Sequence, residues 1–227
     1  MSRRLIASVS ASLILLGLLG GVGWWVQARE RDRREAIIVA TAKTVAAVRA
    51  DLRSADYQKR HSAAIKILEL GPLAKGAVPD LSAALKAEAK RLPAEYKRSE
   101  NMLGTEVAPF ARALWSIGEP AEACLLDLLN EREIGPRLAT VWALSDSYWT
   151  AQTGPSKYPV AVRILRKGLR DPDARVRFCA CNALGSLWPT AAAKDALPDL
   201  FELRATDPDQ EVRAIAGITA GQISSER

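Results

Sequence analysis

The chain repeats itself. Asp171-Pro172-Asp173, followed by Val176, Arg177 and Ala180, returns 36 residues later as Asp207-Pro208-Asp209, Val212, Arg213 and Ala216. A sequence with this kind of period folds as a row of like units, each resting on its neighbours, rather than around one closed core. A second string, Ala77-Val78-Pro79-Asp80-Leu81, comes back as Ala196-Leu197-Pro198-Asp199-Leu200. Looser matches extend the register towards the N-terminus. Arg137, Thr140, Ala143 and Leu144 answer Arg177, Ala180, Ala183 and Leu184, while Ala113-Leu114-Trp115-Ser116-Ile117 answers Ala183-Leu184-Gly185-Ser186-Leu187. Arg60, Ala63, Ile67 and Leu70 lie one step further back. Units therefore begin near residues 60, 107, 137, 177 and 213, giving four units, the second of them short, and a partial fifth.

Each unit reads as two helices. Val176, Ala180, Leu184 and Leu187 form an apolar stripe at helical spacing, the pattern of a helix with one buried face. Asp173 and Asp209 stand where an N-cap belongs, and Pro172 and Pro208 end whatever precedes them. Pro79 and Pro198 suit the first turn of a second helix, and the acid after each faces the positive helix end. One such pair cannot cover its own stripe, so the expected fold is all-α, an α-solenoid of stacked antiparallel helix pairs.

The Asp-Pro-Asp-x-x-Val-Arg-x-x-Ala runs at 171–180 and 207–216 resemble the HEAT-repeat family, particularly the short bacterial type also found in phycobilisome-lyase-like proteins. The resemblance covers residues 54–227 and implies a protein-binding scaffold. It also admits a lyase-like chromophore protein, or an accessory subunit of an envelope enzyme complex, as the alternative. Arg137, Arg177 and Arg213 share a register position. In proteins like these such an arginine pairs with a turn acid, here Asp173 or Asp209, and ties adjacent repeats.

The N-terminal part is of another kind. Leu5 to Ala28 is a stretch of 24 residues without a charge. As a helix it reaches about 36 Å, enough to cross about 30 Å of bilayer hydrocarbon. Arg3 and Arg4 precede it, Arg29, Arg31, Arg33 and Arg34 follow it, and Trp24-Trp25 fits an interfacial anchor. A short basic tail (1–4), an uncleaved single-pass transmembrane helix or signal anchor (5–28) and a juxtamembrane helical linker (29–53) capping the first repeat are expected. The rival is a signal peptide cut after Ala28 at Val26-Gln27-Ala28, but the apolar run exceeds the usual core of about 7–15 residues. A short basic tail retained inside would leave the solenoid extracytoplasmic. Gly17 and Gly21 form a Gly-xxx-Gly pair, which permits a homodimer through the membrane helix.

Composition argues against several chemistries. Residues 36–227 carry 26 basic and 23 acidic side chains, too even a balance for a nucleic-acid footprint. His61 is the lone imidazole, with no Ser, Cys or acid at a catalytic spacing, and the His-Glu pairs of HEAT-like metal hydroxylases are missing because Ser62 follows it. Cys179 and Cys181 sit two apart on a helix, so their thiols point to different sides, and Cys124 reads as another buried small side chain. The expectation is a non-enzyme with no catalytic residues, no metal and no cofactor, whose partners are proteins and membrane lipid. The connection 145–158 is longer than other units need, and Tyr148, Trp149 and Tyr158 on it are the candidate protein-binding residues. The partial fifth unit leaves a first helix with no second one after it, to be capped by its own polar face, a partner or a second copy.

Overall fold

The computed structural model describes residues 29–90 apart from 32 and 34, and residues 107–145, 158–187 and 191–225. The expected membrane segment 5–28 lies outside them. Among the described residues no strand is present, and no helix is long and apolar enough to cross a membrane. The chain divides into two compact units, 1–44 and 45–227. The described part of the first, 29–44, is helical and exposes Ile37, Ile38 and Val39.

The second unit opens on helical residues 45–52 (α1). It continues through α2 (Tyr57–Leu70), α3 (Val78–Ala89), α4 (Ala108–Ile117), α5 (Glu119–Leu128), α6 (Ile134–Ala143), α7 (Tyr158–Gly168), α8 (Ala174–Ser186), α9 (Leu197–Thr206) and α10 (Gln210–Ser224). Two rows result. The first helices of successive repeats stack as α2 on α4, α4 on α6, α6 on α8 and α8 on α10. The second helices stack as α3 on α5 and α5 on α7, with α7 resting on the 3-10 turn Ala191–Ala196 that leads into α9. This is the all-α solenoid that the period demanded, with helix starts within three residues of the expected ones at every unit.

The local chemistry explains the starts. The Asp173 carboxylate accepts from the Arg175 amide at 2.9 Å, and that of Asp209 accepts from Glu211 at 2.9 Å and Val212 at 3.1 Å. Asp56 caps α2 in the same way, accepting from Gln58 at 2.8 Å. The Pro79 and Pro198 strings do open second helices, but each is preceded by a 3-10 turn, Gly71–Ala77 or Ala191–Ala196, that the periodicity does not reveal. The short second repeat is short because Gly118 alone separates α4 from α5. Its φ of 82° is open to glycine and strained for other residues.

One buried cluster runs along the whole stack from Val48 to Ile223, built largely of Ala and Leu. Alanine keeps the helices close. The second repeat departs from this, filling its centre with fully buried Phe110 and Trp115, and it has Val107 at the register position that Arg177 holds in the fourth repeat.

Candidate functional site

Arginines and acids at repeat positions tie the first helix of a unit to the end of its second. In α8, the Arg177 Nη1 donates to the Asp171 and Pro172 carbonyls at 2.8 and 3.0 Å, closing its own turn. Its other edge, Nε and Nη2, grips both Asp207 oxygens at 2.7 and 2.9 Å. Arg60 in α2 repeats the arrangement: Nη1 donates to the Ser54 and Ala55 carbonyls, both at 2.7 Å, and Nε and Nη2 grip Glu88 at the end of α3. Such forked, charge-assisted pairs fix geometry as well as adding energy. Arg137 in α6 is held more loosely, reaching Asp171 at 3.1 Å while its buried Nε finds no acceptor.

The partner acids differ from those expected. Asp171 and Asp207 take the arginines, not Asp173 and Asp209. The Asp173 and Asp209 carboxylates serve as helix N-caps, and the Asp173 carboxylate also accepts from the Arg175 side chain at 2.8 Å.

A second tie joins neighbouring second helices. Asp80 accepts from Arg49 at 2.6 Å and Arg53 at 2.7 Å, and Asp199 accepts from Arg166 at 2.5 Å and Arg170 at 2.8 Å. Each acid of the Pro-Asp strings is thus clasped by two arginines four residues apart, one on the preceding second helix and one in the turn just after it. The Arg-x-x-x-Arg spacing at 49–53 and 166–170 was present in the sequence as the signal for this tie. It also identifies α1 as a second-type helix, since α1 holds Asp80 as α7 holds Asp199.

Burial raises the Asp80 and Asp199 carboxyls, but the hydrogen bonds from their paired arginines outweigh it and hold both below the ordinary value. Burial likewise raises Asp207, and the bonds from Arg177 and the Asp209 amide reverse the sign. At Asp171 burial wins, and the Asp173 amide and Arg137 do not offset it, so this carboxyl is raised. A carboxyl lowered on folding stabilises the fold above its unfolded value, about 3.9, and that stability is lost as pH falls through the folded value. With Asp173, which the hydrogen bond from the Arg175 side chain holds down, four lowered carboxyls stand against one raised and predict stability that holds from neutral pH down to about pH 4 and falls below it. Asp199→Asn should flatten that fall in a urea titration series. An unchanged slope would show that the clasp does not couple to protonation.

A groove of about 340 Å³ lies where α7, α8 and α9 meet, floored by Leu169, Leu203 and Pro208 and walled by the Arg170–Asp199 and Arg177–Asp207 pairs. The charges of its walls are engaged with one another. On the row of second helices Arg163 of α7 reaches Glu122 of α5 at 2.8 Å, and Lys86 of α3 reaches Glu131 at 2.5 Å.

Of the candidate binding aromatics, Tyr148 and Trp149 lie outside the described residues. Tyr158 is the first residue of α7 rather than part of the connection. An aromatic contact that sequence reasoning missed is Arg112 of α4, whose guanidinium lies 4.9 Å from the ring of half-buried Trp142 of α6. His61 lies beside Tyr57, ring centroids 5.7 Å apart. Cys181 is buried, which pushes its thiol up to about 12, while Cys179 and Cys124 are half-buried, and none of the three is in a disulfide. Among the described residues no three side chains able to hold a metal ion gather.

No curated protein matches the chain. A solved structure, an engineered protein from a structural genomics consortium, is 21% identical over 80% of this chain and 79% of its own, with a TM-score of 0.44. Residues 151–221, which hold both Asp-Pro-Asp runs, match the family model described as HEAT repeats.

Proposed function

We propose that the protein is a non-catalytic scaffold, anchored in a membrane through residues 5–28, that binds a protein partner along its row of helix pairs. The observation that carries this reading is the ladder of ties. Arg60–Glu88 and Arg177–Asp207 lock the two helices of a repeat, and the clasps on Asp80 and Asp199 lock successive repeats, so surface side chains many residues apart keep constant spacing. A surface held in that way binds without ordering itself first, which lowers the entropy lost on association. Anchoring adds local concentration, because a partner in or near the same membrane meets the surface at a raised effective concentration. In this reading the solenoid lies on the extracytoplasmic side, and Tyr148 and Trp149 of the connection, with Tyr158 at the start of α7, are its proposed contacts.

Proximity labelling in intact cells, with the label after Arg227, tests this reading. The full chain is expected to label a reproducible set of membrane or envelope proteins, and that set should shrink when residues 5–28 are deleted or Trp149→Ala is introduced. The same neighbours in all three cases, or a pigment or metal carried through purification, would overturn it.

A further inference from the structure

Two features at opposite ends of the stack match each other. In repeats one and four a first-helix arginine grips an acid at the end of the second helix, Arg60 with Glu88 and Arg177 with Asp207. Arg213 of α10 has the same arginine in the same pose, with Nη1 on the Asp207 and Pro208 carbonyls at 2.7 and 3.1 Å. Its gripping edge meets no carboxylate among the described residues, and no second helix follows α10 among them. On the same two terminal helices Phe201 of α9 and Ile218 of α10 are 48% and 58% exposed.

The converse half lies on α1. Ala50-Asp51-Leu52-Arg53 stands against Ala87-Glu88-Ala89-Lys90 at an offset of 37, close to the repeat period, and puts Asp51 in the place of Glu88. Asp51 is exposed and pairs with no cation among the described residues. Among the described residues, α1 is a second-type helix with no first helix before it, and α10 a first-type helix with no second after it.

We infer that the occupant of the α9–α10 end is a second copy of this chain, joined head to tail, with its α1 helix completing the fifth repeat and its Asp51 filling the open edge of Arg213. The contact is heterologous and propagates, so it generates rings or open rows rather than a closed two-fold dimer. The reading of the protein as a scaffold is not needed for it.

The test is sedimentation of the full chain in detergent over a concentration series. The native chain is expected to form species beyond the dimer. Arg213→Glu and Asp51→Arg should each weaken association by tenfold or more, as loss of one partner of a desolvated charge pair does. Mixing the two variants should restore assembly, because every junction then pairs opposite charges. That recovery requires both variants to be folded. A native chain that stays monomeric, variants that associate like the native chain, or a mixture that fails to reassemble would each overturn the proposal.

Discussion

Arg177→Met is expected to lower the unfolding free energy by about 3–5 kcal/mol, the range for breaking a buried ion pair from one side. Asp207 keeps only 1% of its side-chain surface exposed, and Arg177 keeps 10%. Removing the guanidinium strands a carboxylate away from water and also releases the Asp171 and Pro172 carbonyls that Nη1 satisfies. Methionine preserves most of the side-chain volume, so the loss reports on charge and hydrogen bonds rather than on a cavity. For a chain of this size the melting point should fall by roughly 6–20 °C. The double variant Arg177→Met with Asp207→Leu should recover much of that, because replacing both members of such a pair by apolar groups removes the stranded charge. A melting point unchanged by Arg177→Met would mean that this arginine is not a structural tie.

Gly135→Ala is expected to destabilise the chain by about 3 kcal/mol, the upper part of the usual range for overpacking. Gly135 stands in the first turn of α6, where a Cβ would lie 2.4 Å from the Ala89 carbonyl oxygen and 3.0 Å from its carbon. Both are backbone atoms at the end of α3, so no rotamer change relieves the clash, and α3 or α6 has to move. Gly221→Ala in α10 is the control, since its Cβ would meet nothing within 4 Å. Chemical denaturation at low protein concentration should find that variant as stable as the native chain or slightly more so, through the helix propensity of alanine. Equal effects at the two sites would show that α3 and α6 do not approach as closely as described.

The stack was legible because its signals are local. Asp173 and Asp209 announce helix starts through short-range capping, and the 36-residue offset between the Asp-Pro-Asp runs requires no knowledge of what touches what. The ties between helices were only half legible. Arg177 was recognisable as a tie, but both Asp207 and Asp209 accept from backbone amides, and which of them also faces the guanidinium is set by the placement of α8 against the end of α9. The clasp on Asp80 was missed because Arg49 and Arg53 lie in what read as a linker, and their i, i+4 spacing acquires meaning only beside the matching Arg166 and Arg170 in and just after α7. Gly135 carries no sequence signal at all, since its smallness answers to the Ala89 backbone 46 residues earlier. The candidate aromatics Tyr148 and Trp149 rest on loop length and residue type alone.

The second repeat lacks the arginine that its neighbours use and relies instead on Phe110 and Trp115 packed at its centre. Hydrocarbon contact is indifferent to protons and tightens with added salt, whereas the flanking ties weaken under acid. The molecule is therefore zoned, its midsection insensitive to acidity and its flanks tuned to it. When the surroundings acidify, the ties of the flanks weaken first, while the packing around Phe110 and Trp115 loses nothing to protonation.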